Sequence, residues 1–268
     1  MLTRSAFASR FGSRALFGMV HLRALPGAPL FTSLDEVLDA ALQDARAIAS
    51  GGCNGLVVEN FGDRPFTKGR VEAETVAAMT RIVTEIGREV KIPIGVNVLR
   101  NDALSALAIA AATSAAFIRV NVHTGAMVTD QGVIEGDAYA TLRKRASLAP
   151  HVLIFADYLV KHATPLGQPL PKDLRVRGLA DALIVSGSET GAAADPSRVA
   201  YLREMVPDAP ILIGSGLTES NAASFDADGA IVGTSIQTDG RVDAGKVERV
   251  AGAFGVNRPL QTKPLQRP

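Results

Sequence analysis

The sequence has no tryptophan, and aromatic residues make up only 5% of the chain. Few rings are therefore present to stack on nucleic-acid bases. Charge of neither sign is in excess, because 28 Lys and Arg residues stand against 27 Asp and Glu residues, for a net charge of +1. A chain without a basic surplus has no long-range attraction for a phosphodiester backbone, so we expect no nucleic-acid partner.

Cysteine is nearly absent as well. Cys53 is the single one, which excludes both a disulfide within the chain and a thiolate metal cluster, and we interpret it as a small core residue. No apolar run approaches the roughly 18 residues that a membrane-spanning helix needs, so we expect no integral membrane insertion. These absences favour a cytoplasmic protein.

Short apolar runs recur along the chain. They are continuously hydrophobic, as in strands that are covered on both faces of a parallel sheet. The predicted strands are residues 15–22, 55–59, 92–98, 116–122, 152–156 and 182–185, followed by 211–218 and 229–236, which include the turns after them. With 268 residues, 47% of them hydrophobic, and no dinucleotide-binding motif, the chain is predicted to be of the α/β class, a single closed (β/α)8 TIM barrel.

Helical periodicity separates most of these strands. The predicted helices cover residues 34–49, 76–90, 103–112, 137–146, 196–205 and 244–254. Residues 167–178, between the fifth and sixth strands, are rich in helix breakers, so helix 5 is expected to be truncated or replaced by a loop.

The chain is predicted to be one barrel domain, residues 15–257, between two short terminal segments. Residues 1–14 contain three arginines and no acid, which resembles a transit peptide. Phe7 and Phe11 stand at helical spacing, however, and we interpret this extension as a short helix that closes the lower end of the barrel. Residues 258–268 are expected to form a flexible tail.

Two glycine-rich turns follow the last two predicted strands. In TIM barrels the loops at these positions often bind phosphate, because glycine lets backbone N–H groups approach the anion and Ser or Thr adds a hydroxyl donor. The candidate phosphate-binding residues are Gly214, Ser215, Gly216, Gly233, Thr234 and Ser235. A phosphorylated small molecule is therefore the predicted ligand.

Two carboxylates end predicted strands at the edge where barrel enzymes place their chemistry. Glu59 ends the second strand and Asp157 follows the fifth, so the two are expected across the barrel mouth from each other. This arrangement suits acid and base catalysis on opposite sides of a small substrate. The alternative for either carboxylate is a structural salt bridge, for which Arg100 and Arg119 are candidate partners.

Lys161 and His21 complete the candidate catalytic set. Lys161 is predicted to bind phosphate or carboxylate, with a Schiff-base amine as the alternative. His21 is either catalytic or a core histidine bonded to a carbonyl. His21, His123, His162 and Asp157 are also an alternative metal-ligand set, but the histidines lack the H-x-H and H-x-x-x-H spacings. We therefore predict neither a metal nor a cofactor.

Other strand-end residues are predicted to bind substrate by hydrogen bonds. Asparagines at such positions commonly orient hydroxyl or carbonyl groups, and loop capping is the alternative. The group comprises Asn60, Asn97, Asn121, His123, Thr124, His162, Ser186, Glu189 and Thr190. Residues 124–132 form an unusually long predicted loop, which is either a lid over the site or an excursion that packs on a neighbouring subunit.

Several short motifs occur together in this chain. They are GMVHL at 18–22, LPGAP at 25–29, ENFGD at 59–63, PF at 65–66, NVHTG at 121–125, TDQG at 129–132, DY at 157–158, KH at 161–162, SGSETG at 186–191, GSG at 214–216 and IVGTS at 231–235. In combination they resemble the BtpA/SgcQ family over residues 7–254. The resemblance implies a TIM barrel, with one family branch implicated in photosystem I biogenesis and others found among sugar-metabolism genes.

This chain departs from the family pattern in two places. Its crossover between the fifth and sixth strands is shorter, and Gln237 stands where relatives often have a lysine. The loss of that positive charge weakens the case for a phosphate site.

Two functions follow from these observations. The first is an enzyme, an isomerase, a lyase or a glycosidic-bond-cleaving enzyme, acting on a phosphorylated sugar or nucleoside-like molecule. The second is a non-catalytic assembly or regulatory factor that uses the barrel as a scaffold, and that role predicts a large exposed apolar patch. The polar lining of the strand ends favours the enzyme, and we expect a homo-oligomer in either case.

Overall fold

Eight strands of this chain close into a parallel barrel, as the sequence predicts. The computed structural model describes residues 1–187 and 194–257. In chain order its strands are β1 (Ala15–His21), β2 (Gly55–Glu59), β3 (Ile94–Asn97), β4 (Phe117–Val120), β5 (Ala126–Thr129), β6 (Gly132–Glu135), β7 (Leu153–Leu159), β8 (Thr164–Pro165), β9 (Ala182–Val185), β10 (Ile211–Ile213), β11 (Gly229–Val232), β12 (Gln237–Thr238) and β13 (Arg241–Val242). The closed barrel follows the order β1-β2-β3-β4-β7-β9-β10-β11 and returns to β1.

In the described residues, six α-helices surround this barrel and a seventh precedes it. They are α1 (Arg4–Phe11), α2 (Leu34–Ser50), α3 (Ala73–Glu89), α4 (Ala103–Thr113), α5 (Ala138–Leu148), α6 (Pro196–Met205) and α7 (Ala244–Phe254). α2 begins where the side chain of Ser33 accepts a hydrogen bond from the N–H of Glu36 and so caps the helix. Within the described part of the chain, no helix has the length and apolarity to cross a membrane.

Two crossovers lack a regular α-helix. Between β7 and β9 the helical structure of the described residues is limited to a π-helical turn, Asp173–Arg177, which confirms the predicted truncation of helix 5. Between β10 and β11 it forms a 3-10 turn, Ala222–Ser224, which the repeated strand–helix pattern did not predict. The Asn221 side chain accepts from the N–H of Thr218 and donates to the carbonyl of Gly216, so this connection satisfies its backbone without a full helix.

The segment predicted as a long loop after β4 is instead a β-hairpin. β5 and β6 pair antiparallel, and β5 also pairs with β8 to give a three-stranded sheet outside the barrel. Met127 and Ile134 from this hairpin pack with Val122 and Val160 in a small core of their own. The apolar residues in a segment that looks like a loop therefore stabilise a separate small sheet.

Side chains of the barrel strands point alternately to the barrel interior and to the helices. In β1, Phe17 lies in the interior cluster, whereas Leu16 and Val20 lie in the cluster between strands and helices. Two such two-residue steps lead along β1 from Phe17 to His21, and one leads along β4 from Phe117 to Arg119. The polar residues at the mouth thus follow directly above an apolar interior layer.

The amino end of the barrel is closed by α1. Phe7 and Phe11 of this helix are fully buried and pack on three interior rings, Phe17, Phe117 and Phe155. Phe11 lies 5.4 Å from Phe17, ring centroid to centroid, in an edge-to-face arrangement. The predicted role of the N-terminal helix as a closure of the lower end is confirmed.

Candidate functional site

The carboxyl end of the barrel holds a cavity of about 170 Å³. It brings together three of the four predicted catalytic residues and every predicted phosphate-binding residue. The lining includes His21, Glu59 and Lys161, together with Gly214, Ser215, Gly216, Gly233, Thr234 and Ser235. Residues far apart in the chain therefore meet because parallel strands end at the same edge of the barrel.

The two glycine-rich turns supply hydrogen-bond donors to this cavity. Among the described residues, the backbone N–H groups of Gly216, Thr234 and Ser235 have no hydrogen-bond partner. A Cβ atom at Gly214 would lie 2.4 Å from Ile184 and 2.5 Å from the Ser186 hydroxyl, so only glycine fits there. The cavity is thus lined by exposed backbone donors that a bulkier sequence would displace.

His21 and Glu59 form a pair in the wall of the same cavity. The His21 Nε2 atom lies 3.7 Å from the Glu59 Oε1 atom, which is ion-pair distance and too long for a good hydrogen bond. The other ring nitrogen, Nδ1, lies 3.3 Å from the Gln237 amide nitrogen. Burial lowers the pKa of His21, and nearby Glu59 opposes that shift, so the imidazole is neutral at physiological pH.

The His21 ring is also held by packing. It stacks on Phe61 with 4.6 Å between centroids and 29° between planes. With the Gln237 amide nitrogen assigned to face Nδ1, that atom is the acceptor and the Nε2 proton points toward Glu59. The pair is therefore oriented for proton movement between imidazole, carboxylate and a bound molecule.

Asp157 has a different environment from Glu59. Its carboxylate accepts two hydrogen bonds from Arg119, at 3.0 and 2.9 Å, one from Asn121 at 3.1 Å and one from Ser186 at 3.3 Å. The side chain is fully buried. Asn97 extends the network by donating to the Asn121 oxygen at 3.2 Å. This is the structural salt bridge that the sequence left open as an alternative, and it fixes Arg119 beneath the cavity.

A second cavity of about 500 Å³ adjoins the first and shares Glu59, Arg119 and Lys161 with it. Asn121 and His162, both predicted substrate ligands, line this second cavity. Burial lowers the pKa of Lys161, and the nearby Glu59 carboxylate opposes that effect. Lys161 therefore lies between the two cavities, where it reaches a ligand in either.

Of the described ligand residues that the sequence predicts, five lie outside the two cavities, and Asn60, His123 and Thr124 are three of them. Asn60 accepts from the N–H of Leu99 and donates to Asp63, so its amide caps loops, which was the alternative for such residues. His123 and Thr124 line a separate pocket beside the β5–β6 hairpin, and His123 bonds through Nε2 to the Gly178 carbonyl at 2.7 Å. Burial lowers the pKa of His123, which keeps this ring neutral as well.

Of the remaining predicted ligand residues, two lie in the core and two lie outside the described residues. Asn97 and Ser186 are fully buried in the Asp157 network. Glu189 and Thr190 lie outside the described residues. The described residues contain no group of three or more His, Cys, Asp or Glu side chains that could hold a metal ion.

Two arginines were missed as site residues. Arg119 lines both cavities and Arg100 lines the second one. The signal for Arg119 is the two-residue step from Phe117 through Arg119 to Asn121, which places all three side chains on one face of β4. An arginine inside a strand was considered only as a salt-bridge partner, and strand alternation identifies it as an interior residue.

Comparison with known sequences decides the family. The sequence model of the BtpA family matches residues 12–254. This chain belongs to the BtpA family. It is 46% identical over 235 residues to the photosystem I biogenesis protein BtpA of Synechocystis sp., covering 85% of this chain and 82% of that one. It is 33% identical over 237 residues to the putative sgc region protein SgcQ of Escherichia coli, covering 85% and 87%. The resemblance seen in the motifs is thereby confirmed.

Solved structures support the architecture. Phosphoribosyl anthranilate isomerase from Thermus thermophilus superposes with a TM-score of 0.57 over 90% of this chain and 98% of that one. The two sequences are only 11% identical, so the likeness shows a shared barrel fold and nothing about the reaction.

Proposed function

We propose that this BtpA-family chain is an enzyme that binds a phosphorylated sugar or nucleoside-like molecule at the carboxyl end of its barrel. One observation carries the proposal: the two glycine-rich turns, the Lys161 ammonium and the His21–Glu59 pair all line a single cavity. Backbone N–H groups and a lysine are suited to a phosphate. A carboxylate beside a neutral imidazole is suited to moving a proton on the rest of the molecule.

The environments of the carboxylates narrow the reaction class. Glycosidic-bond cleavage usually requires two carboxylates that act on opposite sides of the substrate. Asp157 accepts four hydrogen bonds and is buried, so we assign it the positioning of Arg119. Glu59 then acts as the single base, with His21 as its proton partner. Isomerisation or aldol-type cleavage next to a carbonyl group fits one base better than glycosidic cleavage does.

Lys161 has two roles that fit this chemistry. Its ammonium neutralises the phosphate, or stabilises negative charge that develops on a carbonyl oxygen during proton removal. The alternative is a Schiff base, which a partly buried lysine with a lowered pKa favours. Borohydride trapping separates the two, because only the Schiff base leaves a stable covalent adduct at Lys161.

The first test is a thermal-shift screen against sugar phosphates, nucleotides and inorganic phosphate. A ligand at about a hundred times its Kd stabilises the folded chain by about 2.7 kcal/mol, which is a shift of several degrees. Thr234→Asp and Ser215→Asp place a negative charge in the cavity and should abolish the shift, whereas Ser224→Asp, exposed and outside it, should not. An equal shift in all three variants would place the phosphate elsewhere.

The second test follows the proton. A ligand found in the screen is incubated with the protein in D2O, and deuterium at the carbon next to its carbonyl is measured by NMR. Wild-type protein should incorporate deuterium and Glu59→Gln should not, because the amide cannot accept the proton. Incorporation at the wild-type rate by Glu59→Gln would remove Glu59 from the role of base.

An assembly factor is the second candidate, and one observation favours it. Val128 and Val133 are cross-strand partners in the outer hairpin, and both are exposed, at 42% and 43%. Paired exposed valines are typical of a contact surface. Complementation of a strain that lacks the gene separates the roles: an assembly factor loses function in Val128→Lys and keeps it in Glu59→Gln, and an enzyme shows the reverse.

A further inference from the structure

The second cavity has the composition of an anion site. Four of its lining side chains are Arg or Lys and two are acids: Arg64, Arg100, Arg119 and Lys161 against Glu59 and Asp130. Arg119 is already matched by Asp157, with 2.9 Å between Nη2 and Oδ1. Within the described residues, neither Arg100 nor Lys161 has a carboxylate within 4.0 Å of its side-chain nitrogens. Among the described residues these two cations, like Arg64, therefore lack a close counter-charge at this cavity.

Arg100 is the more informative of the two. Arg100 is only 6% exposed. Burial lowers the pKa of its guanidinium, because water no longer solvates the charge well. One guanidinium nitrogen, Nη2, donates to the Lys161 carbonyl at 2.7 Å. A carbonyl oxygen offsets part of the desolvation cost of a guanidinium, and an anion that accepts two parallel hydrogen bonds offsets far more.

The backbone around Arg100 is fixed in advance. The N–H of Leu99 donates to the Asn60 side chain at 2.7 Å. Asn101 exchanges two hydrogen bonds with the backbone of Val122, both at 2.8 Å. Residues on both sides of Arg100 are thus tied to neighbouring loops, which holds the guanidinium in place before a ligand arrives.

We propose that the second cavity is a subsite for a second anionic oxygen group, a carboxylate or a phosphate, on the same substrate whose phosphate occupies the first cavity. This inference rests on the proposed function. Glu59 and Lys161 line both cavities, so the carbon skeleton between the two anionic groups passes the proposed base. Phe61 and Phe66 form an apolar wall of the subsite, and the Arg64 guanidinium lies 5.6 Å from the Phe61 ring. The substrate class is a phosphorylated sugar acid or a sugar bisphosphate.

Calorimetric titration with three matched ligands tests the subsite. The ligands are a hexose monophosphate, the corresponding bisphosphate and the corresponding phosphorylated aldonic acid. Wild-type protein should bind at least one of the two doubly anionic ligands about tenfold tighter or more than the monophosphate, since a bidentate charged pair contributes that much. Tighter binding of the bisphosphate would identify the second anionic group as a phosphate, and tighter binding of the sugar acid would identify it as a carboxylate.

Variants identify the residues responsible for the tighter binding of doubly anionic ligands. Arg100→Met should remove it and leave monophosphate affinity unchanged, and Arg64→Gln, an exposed change at the rim, should reduce it without risk to folding. Arg70→Gln is the matched control, because Arg70 is exposed and lines neither cavity. Equal binding of all three ligands by wild type overturns the subsite, as does a preference that survives both Arg100→Met and Arg64→Gln.

Thr234→Asp separates this proposal from the one on which it rests. If both are right, it weakens all three ligands by a similar factor. If the phosphate site is wrong and the subsite is right, Thr234→Asp has no effect while Arg100→Met still removes the preference. If none of the three ligands binds wild-type protein, both proposals fail.

Discussion

At the amino end of the barrel, five phenylalanine rings pack with their centroids 4.3–6.4 Å apart. At the carboxyl end, the barrel strands instead carry arginine, aspartate, glutamate and histidine side chains. Both ends are buried, but the first is stabilised by apolar contact and the second by matched charge. A change at the lower end is therefore expected to lower stability. At the upper end, a change to Asp157, which is paired with Arg119, is expected to lower stability, whereas a change to Glu59 is expected to alter the chemistry on a ligand.

The substitution Phe11→Ala tests the amino end of the barrel and is expected to have the largest effect on stability. Phe11 is fully buried and contacts Phe7, Phe17, Phe117 and Phe155. Removal of the ring leaves a cavity and lowers the free energy of unfolding by about 3–5 kcal/mol. Urea denaturation measures the loss, and Leu30→Ala, at a position that is 68% exposed, is the control that should change little.

The substitution Asp157→Asn is the corresponding stability test at the carboxyl end of the barrel. The amide group turns two donor hydrogens toward Arg119 in place of an acceptor and leaves the guanidinium buried without a counter-charge. We expect a loss of about 3 kcal/mol in the free energy of unfolding. Asp226→Asn, which is exposed, is the control. Wild-type stability in Asp157→Asn would show that the network is not structural and would return Asp157 to the acid/base role.

Glu59→Gln sharpens the comparison, because it separates two neighbouring carboxylates. Among the described residues, no donor lies within hydrogen-bond distance of the Glu59 carboxylate. Its nearest partner is His21, whose Nε2 atom lies 3.7 Å from Oε1. We expect stability within about 0.5 kcal/mol of wild type and a loss of turnover of about 100-fold or more. Exposed Glu248→Gln serves as the control in both measurements.

The smallest expected effect is the pH dependence of stability. Burial lowers the pKa of His21 and of His123 in the folded chain, so the unfolded chain takes up protons that the folded chain does not. Acidification below about 6.5, the ordinary value for histidine, therefore favours unfolding, and stability rises again with increasing pH. Each histidine contributes at most about 1.4 kcal/mol per pH unit.

Urea midpoints between pH 7.5 and about 5.5 measure this dependence. His21→Gln and His123→Gln should each flatten the slope relative to wild type, while His151→Gln, at an exposed position, should leave it unchanged. A slope that none of these substitutions alters would assign the pH dependence to other groups.

Much of the fold was predictable because it depends on local pattern. Continuous apolar runs gave the barrel strands, and the spacing of Phe7 and Phe11 gave the helix that closes the lower end. The hairpin at residues 126–135 was not predictable in this way. Its stability depends on contacts of Met127 and Ile134 with Val122 and Val160, and short-range periodicity does not contain such contacts.

The candidate site shows the same division. The glycine-rich turns, His21, Glu59 and Lys161 were identified from strand ends and do line one cavity. His123 and Asn60 stand at equally suggestive positions in the sequence, but they bond to the Gly178 carbonyl and to the Leu99 N–H instead. A strand end specifies which edge of the barrel a residue occupies, and not which neighbour its side chain meets.

By itself the sequence determined the barrel, its closed lower end and the edge where polar residues collect, because these follow from local patterns: continuous apolar runs, helical spacing, and polar residues at strand ends. Only the tertiary structure decided that Asp157 is tied to Arg119 while Glu59 stands beside His21, and that Arg100 lines a second cavity. Hydrogen bonding and ion pairing depend on distances of a few ångströms between residues far apart in the chain, and no sequence interval encodes those distances directly.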